Sequence, residues 1–391
     1  MLAHSPPLPL IIDYHDEDRN IAAEDEDEIV FVLEQRERVH RIRIISPLPN
    51  MQRFFTAIDG EYPILEYMIM STPHEDKSVS LMLTETFQAP HLRHLLLRGF
   101  AIPIGSRLLT TAVGLDALVL IMNHPSAYLQ PNTLLRWLSF IPDLKILAVI
   151  FGFPVLSRDV ERQLMRAPIT HITLPNLLKL TFGGGSAYIE AVVQHITPPR
   201  LEKLLIAFPN QLTFSTPCLL QFLNITENLR FSCATFLFSD EQVIVEVYPH
   251  EEAKTYTLSI VVDCWDLDWQ ASSAAQISNT LSQKFSSVEQ LIFKHKSHIR
   301  SSEEHNDVDH TEWRKLLGSF RNAKTLSIPE NFAWKISRCL QLDDGEFSLE
   351  LLPELQELIC LGSSNISYAF TQFINARKKA GCSVILTHHN C

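Results

Sequence analysis

A short phrase, Leu-x-x-Leu-x-Leu, returns along the chain, often with a proline two residues ahead, and helical patterns fill most intervals between its copies. Together these predict an α/β leucine-rich-repeat solenoid, with a curved parallel sheet inside, helices outside and a small β-hairpin or meander insertion. The clearest copies are Leu92, Leu95 and Leu97 after Pro90, and Leu144, Leu147 and Val149 after Pro142. Others are Leu177, Leu180 and Phe182 after Pro175, Leu201, Leu204 and Ile206 after Pro199, and Leu355, Leu358 and Cys360 after Pro353. Looser copies start at Leu65 and Leu115. A repeated strand cannot bury its own apolar face, so it needs neighbours stacked on it. Residues 1–391 are therefore read as one array, with 234–264 as the β insertion.

The elements follow in order. Leu10-Ile11-Ile12 reads as a strand, and the acidic run Glu24 to Glu28 leads into a helix carrying Ile29, Val30, Val32 and Leu33. Carboxylates in a first turn favour that start through the helix dipole. Strand Arg41–Ile45 precedes a helix with Phe54, Phe55 and Ile58, and Leu65–Met70 is the next strand. Asn132, Ser157 and Ser186 are candidate caps for helices bearing Leu134 and Leu138, Val160 and Leu164, and Ile189 and Val193. Three close strand patterns follow, Phe236–Phe238, Val243–Val247 and Tyr256–Val262, with no helix between them. At least one pair must then be antiparallel. Ser272 opens a helix with Ile277, Leu281 and Phe285. Trp313 to Phe320 form another, and Val384–Leu386 closes the sheet beyond Gly381.

Composition narrows the function. The chain has 391 residues, 46% of them apolar, and a formal net charge of −12. A phosphate-binding surface needs clustered Lys and Arg, so nucleic acid is not an expected partner. No apolar stretch reaches the roughly 18 residues of a membrane helix, and no signal peptide opens the chain. Seven cysteines without a CxxC pair fit reduced thiols in a cytoplasmic or nuclear protein.

Several phrases carry a resemblance. They are Leu2-Ala3-His4-Ser5 before Pro9-Leu10-Ile11, Phe87-Gln88-Ala89-Pro90-His91-Leu92-Arg93-His94-Leu95, Leu267-Asp268-Trp269-Gln270, and Phe373-Ile374-Asn375-Ala376-Arg377 before Gly381. In this order the chain resembles the leucine-rich-repeat region of fungal F-box-like proteins, above all those of mushroom-forming fungi. The resemblance implies target recognition for ubiquitylation. It departs from the family at its start, where nothing before Leu10 is long enough for an F-box, so a ligase adaptor is not the expected partner. A protein target is.

In such a solenoid the residue between the last two apolar positions of each strand lines the concave face. Here those are Ile69, Leu96, Val119, Ala148, Thr181, Leu205, Ile292, Ser327 and Ile359, with Tyr67, Arg93, His94, Lys179, Glu202 and Lys203 as a polar rim. Most of the row is apolar, which marks a partner groove or a self-covered surface. His295, His298, Glu303, Glu304, His305, Asp307, Asp309 and His310 offer zinc or nickel donors, but their spacing matches no helix or knuckle pattern, so no metal site is assigned. His388-His389-Asn390-Cys391 is read as lying beyond the last strand. Gly183-Gly184-Gly185-Ser186 lacks the Lys of a phosphate loop, and no Gly-x-Ser-x-Gly or HExxH occurs. No cofactor and no enzymatic activity are expected; the alternatives are an enzyme or metal-dependent protein on the same array, or a fragment lacking its F-box and without independent activity.

Overall fold

The computed structural model describes residues 8–16, 23–72, 81–153, 171–209, 216–296, 310–340, 350–362 and 367–389. They fall into two compact units, Met1–Leu201 and Glu202–Cys391.

The first unit runs β1 (Leu10–His15), β2 (Val39–Ile45), β3 (Tyr67–Ser71), β4 (Leu81–Met82), β5 (His94–Arg98), β6 (Phe100–Ala101), β7 (Ala117–Met122), β8 (Ile146–Phe151), β9 (Ile172–Thr173), β10 (Lys179–Gly183) and β11 (Ile196–Thr197). Its sheet has the order β1-β2-β3-β5-β7-β8-β10, and every neighbour pair is parallel. The short strands β4 and β6, and β9 and β11, pair separately.

The phrase works through its first leucine. In each of the six copies led by a proline the N–H of that residue bonds back to the carbonyl three residues earlier: Leu65 to Tyr62, Leu92 to Ala89, Leu144 to Ile141, Leu177 to Leu174, Leu201 to Pro198 and Leu355 to Leu352; Leu115 does the same to Ala112 without one. The prolines Pro63, Pro90, Pro142, Pro175, Pro199 and Pro353 occupy the second position of those turns. A proline there has its φ already set for the turn. The leucine closes the turn with its side chain buried, and the strand follows.

The other two leucine positions share a face. Ile42, Met68, Leu95, Leu118, Leu147 and Leu180 lie side by side across the sheet. Ile44, Met70, Leu97, Leu120, Val149 and Phe182 form a second such row, and both rows are buried. Helices Leu48–Ala57, Pro131–Leu138 and Ser186–Val193 supply further core residues, including Phe54, Trp137 and Tyr188. Tyr188 stacks on Phe182 with ring centroids 5.5 Å apart and meets Phe151 edge-on at 4.9 Å.

The second unit runs β12 (Lys203–Phe208), β13 (Cys233–Phe238), β14 (Gln242–Tyr248), β15 (Leu258–Asp263), β16 (Gln290–His295), β17 (Thr325–Pro329), β18 (Glu357–Leu361) and β19 (Ile385–His389). The strand order is β12-β15-β14-β13-β16-β17-β18-β19. The meander is built into this sheet: β14 is antiparallel to β13 and β15, while β15 is parallel to β12 and β13 to β16. Facing is conserved through the reversed strand. Leu204, Leu258, Val247, Ala234, Leu291, Leu326 and Leu358 are aligned across the sheet and all are buried. Beside that row Phe236, Phe238, Phe293, Trp313, Phe320 and Phe332 form a contiguous aromatic core.

Helix starts differ from the sequence reading. The helix expected at Ser272 spans Leu267–Thr280, because Asp266 caps it and accepts the Asp268 N–H at 2.9 Å and the Trp269 N–H at 3.1 Å. Pro131 opens the helix expected at Asn132, its φ preset for a first helical position, and Ser186 is itself the first helical residue after Gly185. The last strand continues through His388 and His389. The helix expected after Ser157, and residues 298–309 of the histidine-rich segment, lie outside the described residues.

The alternation predicts opposite outcomes for adjacent residues. Leu118→Ala, on the buried face of β7, should lower unfolding free energy by about 2–5 kcal/mol in urea titrations. Val119→Ala, its half-exposed neighbour, should change it by less than about 1 kcal/mol. Similar losses at both sites would refute the facing.

Candidate interaction surface

Each unit has one sheet face buried in its core and one half-exposed. On the first unit's exposed face, Ile69, Leu96, Val119, Ala148 and Thr181 are direct lateral neighbours on β3, β5, β7, β8 and β10. Asp13 and Arg43 extend that row onto β1 and β2. Ile69, Leu96, Val119 and Thr181 are half-exposed, whereas Ala148, with its short side chain, is only 8% exposed. Two residues further along each strand, Ile45, Ser71, Arg98, Ile121, Ile150 and Gly183 make a second row. Two residues earlier, Arg41, Tyr67, His94, Ala117, Ile146 and Lys179 make a third.

The polar side chains of this face are ordered against one another. The Arg41 guanidinium lies 4.2 Å above the Tyr67 ring, and Tyr67 meets the His94 ring at 5.6 Å. A cation over an aromatic face is held by the ring quadrupole. Arg43 reaches Asp13 at 3.4 Å. Thus Tyr67, His94 and Lys179 of the expected rim do stand on this face. Arg93 sits instead at the strand-entry edge, 3.7 Å from Asp116, which also takes Lys145 at 2.8 Å. Glu202 and Lys203 belong to the second unit.

On the second unit the corresponding row is Leu205, Ser259, Glu246, Thr235, Ile292, Ser327, Ile359 and Thr387. Its centre is polar because the meander supplies Ser259, Glu246 and Thr235 there. Glu246 accepts the Tyr248 hydroxyl at 2.6 Å. Burial, and then this bond to a carboxylate, push the Tyr248 phenol well above its ordinary range. Burial also pushes the Cys233 thiol up to about 11.

No group of three or more potential metal ligands occurs among the described residues. A cavity of about 340 Å³ in the first unit is lined by Phe100, Leu120, Met122, Tyr128, Trp137 and Glu85, among others, and by Ser126. The Nδ1 of His124 lies 2.7 Å from Ser126 Oγ but also accepts the Ser126 N–H at 3.1 Å. That lone pair caps a turn, which leaves it poorly placed to act as a base. Sequence reasoning missed a different feature. Trp265, Trp269, Trp334 and Tyr368 are 77%, 59%, 65% and 75% exposed. The buried side of Leu267–Thr280, with Ala271, Ala274, Ala275 and Ile277, leaves Trp269 off the helical stripe, and that was the available signal.

The crystal structure of the leucine-rich repeat-containing protein LegL7 from Legionella pneumophila is similar over 97% of this chain and 99% of that one, at 14% identity and a TM-score of 0.32. A score of this size fixes neither fold nor partner, so the architecture rests on the strand pairing described above. No protein-family model and no curated protein matches the chain. No helix among the described residues is long and apolar enough to cross a membrane.

The Tyr248–Glu246 contact is open to titration. Following phenolate absorbance, Tyr248 should stay protonated at pH 11, where exposed tyrosines have ionised, and Glu246→Gln should lower its pKa while leaving the part of the shift that burial causes. A Tyr248→Phe control identifies the signal. No change in the Gln variant would exclude the carboxylate as a cause.

Proposed function

We propose that this chain is a non-catalytic protein-interaction module that holds its partner on the exposed sheet face of the first unit. The observation that carries this is the lateral row Ile69, Leu96, Val119 and Ala148, flanked by Ile121, Ile146 and Ile150. Contiguous aliphatic surface kept in water on a soluble chain marks an interaction site. The side chains stand on strands, so the surface is preorganised and loses little conformational entropy on binding.

The resemblance of those phrases to fungal F-box-like leucine-rich-repeat proteins supports a finer reading, in which the partner is a protein recognised for ubiquitylation in the cytoplasm or nucleus. The expected partner is that target. No cofactor, nucleic acid or membrane is required.

Affinity purification from the chain's own host, with mass spectrometry, tests the reading. Proteins recovered with the unaltered chain should be lost with Leu96→Asp and with Val119→Asp, since an unpaired carboxylate in a desolvated contact costs on the order of 2 kcal/mol, or about 30-fold in affinity. Circular dichroism should show both variants folded. Undiminished recovery by two folded variants overturns the site. Co-recovery of a cullin-type ligase adaptor would support the ubiquitylation reading.

A further inference from the structure

The exposed face of the first unit carries a charge opposite to that of the chain. Its three rows hold Arg41, Arg43, Arg98 and Lys179 against Asp13 alone, four minus one, or +3. The whole chain has 33 Lys and Arg against 45 Asp and Glu, or −12. The second unit shows no such excess, because its equivalent rows hold Lys203 and Lys294 against Glu246 and Glu357, two minus two, or zero. Arg43 is paired with Asp13. Arg98 and Lys179 have no acidic partner among the described residues, and the Arg98 Nε is buried without an acceptor.

From this we propose that the occupant of the face is an extended acidic peptide segment with aliphatic side chains at its centre. The inference rests on the reading of this face as the partner surface. Spacing gives it shape. Strands lie about 4.8 Å apart, so the five intervals from β2 to β10 span about 24 Å, the reach of about seven extended residues. The cations sit on β2 at one end, on β10 at the other, and on β5 between them, where Arg98 stands beside the aliphatic centre of Leu96, Val119, Ile121 and Ile150. Acidic residues near both ends of the segment, and a third about three residues in, would meet these cations. Arginine suits carboxylates because its planar fork can bond both oxygens.

A nucleic acid would compete for the same cations, but it fits less well. Affinity for a phosphate backbone comes from many contacts, commonly six to ten, and this face offers four cations around an apolar centre. Tyr67, whose ring a base would stack on, is already covered by Arg41.

The test is selection of a random nonapeptide display library on the full chain, with binders also screened on Leu96→Asp. Peptides bound by the unaltered chain and lost on that variant should be net acidic with central Leu, Ile or Val. Changing their Glu and Asp to Gln and Asn should weaken binding at least 10-fold at low salt, and the gap should narrow as salt shortens the Debye length below about 10 Å. Arg98→Gln with Arg41→Gln should reproduce most of that loss. The salt series on the unaltered chain decides the matter even where those variants misfold. Neutral or basic peptides that depend on Leu96 would overturn the acidic occupant while leaving the partner surface intact. Binders indifferent to Leu96→Asp would overturn both. A single-stranded RNA that binds the unaltered chain more tightly than any selected peptide would replace the peptide as occupant.

Discussion

One backbone contact sets the register on which the rest depends. Just ahead of seven strands, a single carbonyl accepts the N–H groups of two successive residues in the neighbouring strand's segment. Glu66 receives Arg93 and His94, Arg93 receives Asp116 and Ala117, Asp116 receives Lys145 and Ile146, and Lys145 receives Leu178 and Lys179. The second unit repeats the arrangement with Ser232, Glu289 and Lys324 as acceptors. A slip of one residue would turn every side chain to the other face, so this contact decides which residues are core and which are surface. It also sets the acceptor residues side by side. Their charges alternate through Glu66, Arg93, Asp116 and Lys145, with Arg93 and Lys145 both paired to Asp116. The two cations are exposed and Asp116 is half-buried, so the pairs specify neighbours more than they stabilise them.

Much of this was legible in the residues. The leucine phrase marks strands because its second and third apolar positions differ by two, the period of a pleated strand. The proline two residues ahead marks the turn that leads in. The residue between those apolar positions then has to face the other way, and for that reason Ile69, Leu96, Val119, Ala148 and Thr181 could be named together without coordinates. The lack of a helix between Phe236 and Val262 correctly required antiparallel pairing.

What stayed hidden depends on contacts far apart in sequence. Nothing local says that β15 returns to β12 while β13 goes to β16. Asp266 was overlooked because the tryptophans beside it, Trp265 and Trp269, obscure the helical stripe. The buried Gln270 explains why the helix must begin so early: its Nε2 donates to Ser239 O at 2.8 Å and to Cys264 O at 2.6 Å, tying the first helical turn to two strand ends. The basic excess on the first unit's face was masked by the acidic balance of the chain, since Arg41, Arg43, Arg98 and Lys179 meet only once register is known.

The reversed strand β14 has a consequence for how such a chain can lengthen. Where strands follow one another in chain order, as from β2 to β10 or from β16 to β19, copying one strand and its return segment adds a layer whose ends meet the existing neighbours. Between β12 and β16 the path doubles back, and a copied segment there would reach strands already paired on both sides. An added or lost repeat can therefore be accommodated on the flanks of that stretch without breaking existing pairs, whereas the three strands of the meander stand or fall together.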